Sequence, residues 1–420
     1  VAGTESEPSF RTALAYWARL GWVNFGGPAG QIALMHRDLV ERRRWVDEDR
    51  FLHALNFCML LPGPEAHQLA IYLGWRLHGR RGALAAGLGF VLPSLLLLWG
   101  LAWIHAAHGD VPAVVAVLGG IAPVVVAIIL EAVVRIGRRA FRHPLHAGFA
   151  AAALVALLAG ASFPLIVGAA AVAGLLASRA VPRFAPGGAD GRSPAVPRTE
   201  RPRLAVGTLM AGALLWGVGL AAVLAVADRV PVLRELYDFF SRAAFVTFGG
   251  AYAVLAYVSQ VAVDGYGWLS ARAMLDGLAL AETTPGPLIV VLEFVGFQAG
   301  WNHPGTWPPL AAATAGALAT AWVTFLPSFV FILVGAPWVE RLRGHRPLAG
   351  ALAGVTAAVV GVILHLGLVF GRQVLLPQGR LDPWAVAIAV ASLLALGLRE
   401  ARIPLLVAGG ALLGLLRLLA

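Results

Sequence analysis

Apolar residues run through most of the chain in stretches too long for a half-buried strand and lacking the polar stripe of a surface helix. The stretches 83–105, 112–134, 204–227, 310–334 and 348–370 each come close to the ~20 apolar residues that a bilayer-spanning helix needs. Charged positions gather in short blocks between them, chiefly 36–50, 76–82, 178–203 and 340–346. Two further segments, 12–35 and 51–75, are apolar at both ends but interrupted near the middle, by "FGGPAG" and by "LPGPE". Lipid cannot hydrogen-bond an open backbone, so the pattern predicts an all-α polytopic membrane protein with broken helices at those interruptions.

Composition agrees with this reading. Of 420 residues, 59% are hydrophobic and 13% charged, with 49 glycines and 26 prolines, which excludes an ordinary soluble domain. All 32 basic residues are arginine, and most lie in short connections, so the net charge of +10 reads as membrane topology rather than nucleic-acid binding. Cys58 is the single cysteine and the 11 histidines form no zinc-like cluster, so no disulfide, metal or other cofactor is expected. The first residues carry two glutamates and no basic block before the first apolar run, so no cleaved signal peptide is expected.

The two halves repeat. Adding 223 to a residue number carries Arg19 to Arg242, the "FGG" of 25–27 to that of 248–250, Trp45 to Trp268, Leu55 to Leu278 and the "PGP" of 62–64 to that of 285–287. After an insertion of 11 residues the offset is 234, and it carries "LPS" 92–94 to 326–328, Gly120 to Gly354, Glu131 to His365 and Arg138 to Arg372. One register held over this length makes the chain two copies of one unit.

Short arginine-rich loops stay on the cytoplasmic side. By that rule the copies point in opposite directions. Segments 36–50 and 76–82 hold eight arginines, whereas their counterparts 259–273 and 298–309 hold only Arg272. The sign reverses further on: 105–112 has none, and its counterpart 340–346 has three. The expected plan is a first repeat over 1–177, a cytoplasmic linker over 178–203, a single crossing over 204–227 that turns the chain over, and a second repeat over 228–420.

In the first copy the N-terminus, 36–50 and 76–82 share the cytoplasmic side, so 12–35 and 51–75 must enter and return. Arms of roughly 15 residues reach about 22 Å, past the bilayer centre but not through it, which predicts re-entrant hairpins. Glycine at a tip admits positive φ and close backbone approach, and Pro28, Pro64 and Pro287 suit the first turn of the returning helix. Each break exposes a helix N-terminus whose N–H groups and dipole favour an oxyanion, and four such ends are expected to converge on one anion. The residues expected there are Phe25, Gly26, Gly27, Pro28 and Gln31, then Pro62, Gly63, Pro64 and Gln68, and in the second copy Phe248, Gly249, Gly250, Thr283, Thr284, Pro285, Gly286 and Pro287.

Arg19 and Arg242 each lie seven residues before a tip glycine, two helical turns away and so on the face of the break. They are expected to give the anion a permanent charge, with snorkelling to headgroups as the plainer role. Glu65 and Glu282, beside the PGP glycines, and Glu131 and His365, inside the long helices, are candidates to carry a proton. Their plainer roles are a charge–dipole contact or pairing with a neighbour. His67 and Glu293 are further polar positions near the breaks. The run "HRDLVERRRWVDEDR" is expected to form a solvated interfacial helix laced with ion pairs, with Trp45 at headgroup level. No G-x-S-x-G, HExxH or P-loop occurs.

At "FGGPAGQIALMHRDLVERRRWVDEDRF", "LLPGPEAHQLAIYLGW" and "GFVLPS" the sequence resembles the chromate transporter family of the long, two-repeat type. The resemblance implies efflux of chromate from the cytoplasm and chromate resistance, with sulfate as the natural analogue. The signature residues it carries over are Phe25, Gly26, Gly27, Pro28, Trp45, Pro62, Gly63, Pro64, Pro93, Phe248, Gly249, Gly250, Pro285, Gly286 and Pro287. Met59 departs from the glutamine that many members have before LPGP, and Ala251 stands where the first copy has Pro28. The expectation is a secondary transporter of chromate or a sulfate-like oxyanion, working by alternating access in an inner (plasma) membrane. Its other partner is the lipid bilayer, not nucleic acid, and a homodimer is compatible with the plan. The rivals are an exporter of another small anion and a membrane-embedded chromate-reducing enzyme; against the second stands the lack of a flavin or nicotinamide fingerprint and of a cysteine pair.

Overall fold

The computed structural model describes residues 8–25, 27–59, 61–181, 184, 202–246, 250–335, 346–397 and 403–419, with the backbone alone over 202–205 and 346–348. Gly26, Phe248, Gly249, most of the 178–203 linker and most of the arginine-bearing loop 340–346 lie outside the described residues. The described residues contain helices and no strand.

The first copy comprises α1 (Phe10–Val23), α2 (Gly27–His36), α3 (Glu48–Cys58), α4 (Glu65–His108), α5 (Pro112–Ala140), α6 (Pro144–Leu158) and α7 (Phe163–Ala180). α8 (Pro202–Leu224) links it to α9 (Val232–Val246), α10 (Ala251–Ser259), α11 (Ala271–Thr283), a 3-10 turn (Leu288–Val290), α12 (Val291–Asn302), α13 (Pro309–Gly335), α14 (Arg346–Leu375), α15 (Pro383–Gly397) and α16 (Ile403–Leu419). Among the described residues, six helices are long and apolar enough to cross a membrane: the five expected spans fall in α4, α5, α8, α13 and α14, and α7 is the sixth.

The repeat governs fine backbone detail. A π-helical turn at Arg37–Arg42 ends α2 and its counterpart at Gln260–Gly265 ends α10. α3 starts at Glu48 and α11 at Ala271, and the residue before each start caps it: Asp47 accepts from the Arg50 N–H at 2.8 Å and Ser270 from the Ala273 N–H at 3.1 Å. Left-handed φ recurs in register at Gly63 and Gly286 (123° and 122°) and at Arg44 and Gly267 (54° and 63°). α6 and α15 start and end 239 residues apart, so the structure carries the repeat beyond the matches read from the sequence.

The copies interlock. α4 reverses direction at His78–Gly79, and its two arms pack closely where Gly74 meets Gly82; α12 and α13 repeat this at Gly296 and Gly316. α5 packs on α15 and α16 of the other copy, α14 packs on α6 and α7, and the two long helices pack on each other. Exchanging the copies maps these contacts onto one another, the relation expected of an inverted pair. Each copy closes the bundle of the other, with α8 between them in the chain. At the mouth of α15, burial works to raise the Asp382 carboxyl, but the Arg417 guanidinium at 2.7 Å and the N–H groups of Trp384 and Ala385 hold it below the usual carboxylate range.

The charged run of 36–50 is not one helix. Its π-turn stops at Arg42, and the chain then folds back so that the N–H of Trp45 reaches the carbonyl of Leu39 at 2.8 Å. Trp45 is buried under Arg43, which stacks on it and on Tyr16. The expected ion pairs are present, including Arg50–Asp47 at 3.0 Å and Arg42–Asp38 at 3.5 Å.

Candidate functional site

The starts of α2, α4, α10 and the 3-10 turn before α12 meet at one crevice, lined by Pro28, Gln31, Pro64, Glu65, Ala66, Gly250, Ala251, Pro287, Leu288 and Ile289. Ser9, Asp47 and Ser270 cap α1, α3 and α11, no side chain caps α5 or α7 away from the crevice, and none caps α4, α10 or the 3-10 turn. The orphan N–H groups at these ends therefore remain for a ligand. A second crevice shares Pro64 and Ile289 with the first and is otherwise lined by Pro62, Gly63, Leu292, Thr324, Pro327, Ser328 and residues of α9.

The tips of the two copies are bonded to each other. The Gly286 N–H donates to the Asn24 carbonyl at 3.3 Å, and the Gln31 amide donates both to Asn24, at 3.0 Å, and to the Gly286 carbonyl. Gln68 donates to the Pro62 carbonyl at 2.7 Å. The amide oxygens of Gln31 and Gln68 and both polar side-chain atoms of Asn24 are buried without a protein partner, so three unsatisfied amides surround the tips. The contacts are also reciprocal: a Cβ on Gly63 would meet Ser328, and one on Gly286 would meet Ser94, so each PGP rests on the LPS serine of the other copy.

Charge comes from α5. Glu131 and Arg135 form an ion pair at 3.2 Å, and both act on Glu282, which is buried and accepts a hydrogen bond from Tyr252 at 2.7 Å. Arg139 is the basic group acting on Glu65 at the crevice wall. His365, the counterpart of Glu131, faces Asp264 instead. Thr283 and Thr284 turn their hydroxyls back to the carbonyls of Leu280 and Ala281, and Phe25 is exposed.

Arg19 and Arg242 are not brought to the crevice. α1 buries Tyr16, Trp17 and Leu20 and leaves Arg19 exposed; Arg242 is 74% exposed and pairs with Asp238 at 2.6 Å. The two-turn spacing does align each arginine with a tip glycine. The chain leaves the helix before that glycine, however, so the buried face of α1 or α9 decides where the arginine points. The residues missed by the sequence reading are Asn24, Tyr252, Arg135 and Arg139. Asn24 stands at the head of "NFGGPAG", and Arg135, four residues after Glu131, is the first arginine after the apolar stretch 112–134.

The copies differ in burial at matched positions. Leu52 is 44% exposed and its counterpart Leu275 0%; Met59 is 46% exposed and its counterpart Glu282 8%. α10 and α11 pack against α14 and α5, whereas α2 and α3 make no comparable contact with α5 and α14.

Interlocked copies, broken helices and helix ends meeting in the interior define a repeat-built helical membrane transport protein. The family profile described as chromate transporter matches residues 12–175 and 234–415, and the chain belongs to that family. It is 29% identical over 415 residues to the chromate transport protein of Cupriavidus metallidurans, covering 97% of this chain and 93% of that one. It is 33% identical over 367 residues to the chromate transport protein of Pseudomonas aeruginosa, covering 86% and 82% respectively. No solved structure matches the chain.

Proposed function

We propose that the protein exports chromate from the cytoplasm across the plasma membrane by alternating access, and so confers chromate resistance, with the N-terminus and the 178–203 linker on the cytoplasmic face. The observation that carries this is the meeting of four helix starts, three of them without a side-chain cap, at one crevice in a member of the chromate transporter family. Backbone N–H groups and the arginines of α5 supply hydrogen bonds and charge to a tetrahedral dianion where water is excluded. A dianion leaving a negative-inside cell gains about 2.3 kcal/mol per charge per 100 mV, so the membrane potential favours export.

Inside-out membrane vesicles containing the protein are expected to accumulate chromate, with its oxidation state unchanged, and sulfate is expected to compete because N–H donors read shape and charge that the two anions share. Reduction of chromate without accumulation would replace transport with enzymatic chemistry.

Alternating access draws on the unequal burial of the two copies. The loose hairpins of the first copy leave the crevice open toward the cytoplasm, and the packed hairpins of the second close it from outside. Cysteine at Leu52 is expected to react with a membrane-impermeant thiol reagent applied from the cytoplasmic side, and cysteine at Leu275 to stay unlabelled. The native Cys58 is buried and stays silent. Equal labelling of the two positions would contradict a cytoplasm-open state.

A further inference from the structure

Glu293 lies at the first turn of α12, is 5% exposed, and has a buried carboxylate oxygen with no hydrogen-bond partner. On α13, which packs on α12, Thr320 and Thr324 are both buried with unpartnered hydroxyls, and Thr320 meets Gly296 of α12. Helical threonines ordinarily return the hydroxyl to the preceding turn, as Thr314 does to the Leu310 carbonyl at 2.7 Å. The two helices run antiparallel, since Gly300 faces Ala312 while Gly296 faces Gly316 and Thr320. Following that order toward the start of α12 brings Glu293 level with Thr320 and Thr324. Thr324 also lines the second crevice beside Pro62, Gly63 and Ser328.

No basic side chain acts on Glu293. Several titratable groups on the elements packed against α12 have partners of their own, although the His67 Nδ1 on α4 is buried without one. On α4, His67 contacts the Gly87 carbonyl and His105 contacts Asp276; on α9, Glu235 accepts from Trp268 and Tyr237 donates to the Trp216 carbonyl. On α11, Asp276 also pairs with Arg272 and Glu282 accepts from Tyr252, while α13 carries no titratable residue. A bare carboxylate in an apolar interior must be neutralised by a cation. A hard metal cation takes about six oxygen ligands, more than three side chains on two intact helices offer; a proton needs only the carboxylate and a hydroxyl to receive its hydrogen bond. The first copy has Ala70, Ala86 and Phe90 at the matching positions, so the arrangement exists once.

We propose that Glu293, with Thr320 and Thr324, is the binding site of a proton that moves in each transport cycle, coupled to the anion through the crevice wall at Thr324. This rests on the transport reading above. In proteoliposomes of the full chain, a pH gradient is expected to change the wild-type chromate accumulation ratio about tenfold per pH unit for one coupled proton. E293Q is expected to keep chromate-for-chromate exchange and lose that response, and T324V to weaken it. A full pH response in E293Q, or a wild-type response to sodium rather than pH, overturns the proposal. Infrared spectra of the substrate-free protein are expected to show a protonated-carboxyl band that disappears in E293Q; no difference between the two spectra also overturns it. Should the wild type exchange no chromate, the transport reading falls, and the infrared comparison still decides the proton site.

Discussion

Gly286→Ala and Gly63→Ala are each expected to cut chromate uptake into inside-out vesicles by roughly 100-fold or more, the factor that about 2.7 kcal/mol at the site represents. Both glycines hold φ near +122°, a region essentially closed to side chains, at a strain of about 1–3 kcal/mol for any replacement. Sterics add to this. A Cβ on Gly286 would overlap the side chain of Ser94, and one on Gly63 would sit 2.6 Å from the Gln68 amide nitrogen and 3.2 Å from the Ser328 hydroxyl. Relief at either tip moves a helix start away from the crevice. Two controls separate the causes. Gly27→Ala, with φ +65° and nothing within 4 Å of the new Cβ, is expected to cost only the left-handed penalty of about 1–2 kcal/mol. Adding S94G to G286A removes the overlap but not the φ strain, so thermal stability should partly return while transport stays low. Wild-type transport by G286A would show that the PGP tip does not set the site.

Both glycines were legible in the sequence because their chemistry is local. A Gly between two prolines that recurs at a fixed offset announces a break, and the break alone implies a free helix N-terminus. Residues whose role depends on which face of a helix is buried were not legible. Arg19 and Arg242 share a register and a spacing to their tips, yet Tyr16, Trp17 and Leu20 on α1, and Phe239 and Phe240 on α9, claim the inward side. The burial difference between Leu52 and Leu275 was beyond reach for another reason. Identical residues at matched positions carry no sign of which copy packs more tightly, and that difference belongs to the conformation. The 36–50 run misled through its periodicity. Its charges do pair at helical spacing, but Arg44 takes a φ of 54° and the Leu39 carbonyl captures the loop that buries Trp45. Glu293 stood among the polar residues near the breaks, and only the antiparallel seam of α12 and α13 brings two idle hydroxyls to its level.

Arg135→Gln is expected to abolish transport and to destabilise the protein by about 2–3 kcal/mol, discounted from the roughly 3–5 kcal/mol for removing one partner of a fully buried pair. The discount reflects side chains that remain 30% and 28% exposed at Arg135 and Glu131. Without the guanidinium, Glu131 and Glu282 act on each other uncompensated, and α5 loses a positive charge on the side where it meets α11. The double variant E131Q/R135Q separates these roles. It removes both charges of the pair, so thermal stability should return toward wild type. Transport should not, because the anion still lacks its cation. Recovery of transport together with stability would reduce Arg135 to a counter-ion for Glu131 and leave the helix starts to bind the anion alone. R242Q supplies the comparison: its guanidinium is solvent-exposed and already paired with Asp238, a surface ion pair worth at most about 1 kcal/mol. Near-normal transport by R242Q beside a dead R135Q would place the permanent charge of the site on α5, a helix that carries arginine at this position in one copy and Val369 in the other. The two halves of the cycle would then present unequal electrostatics to the same anion.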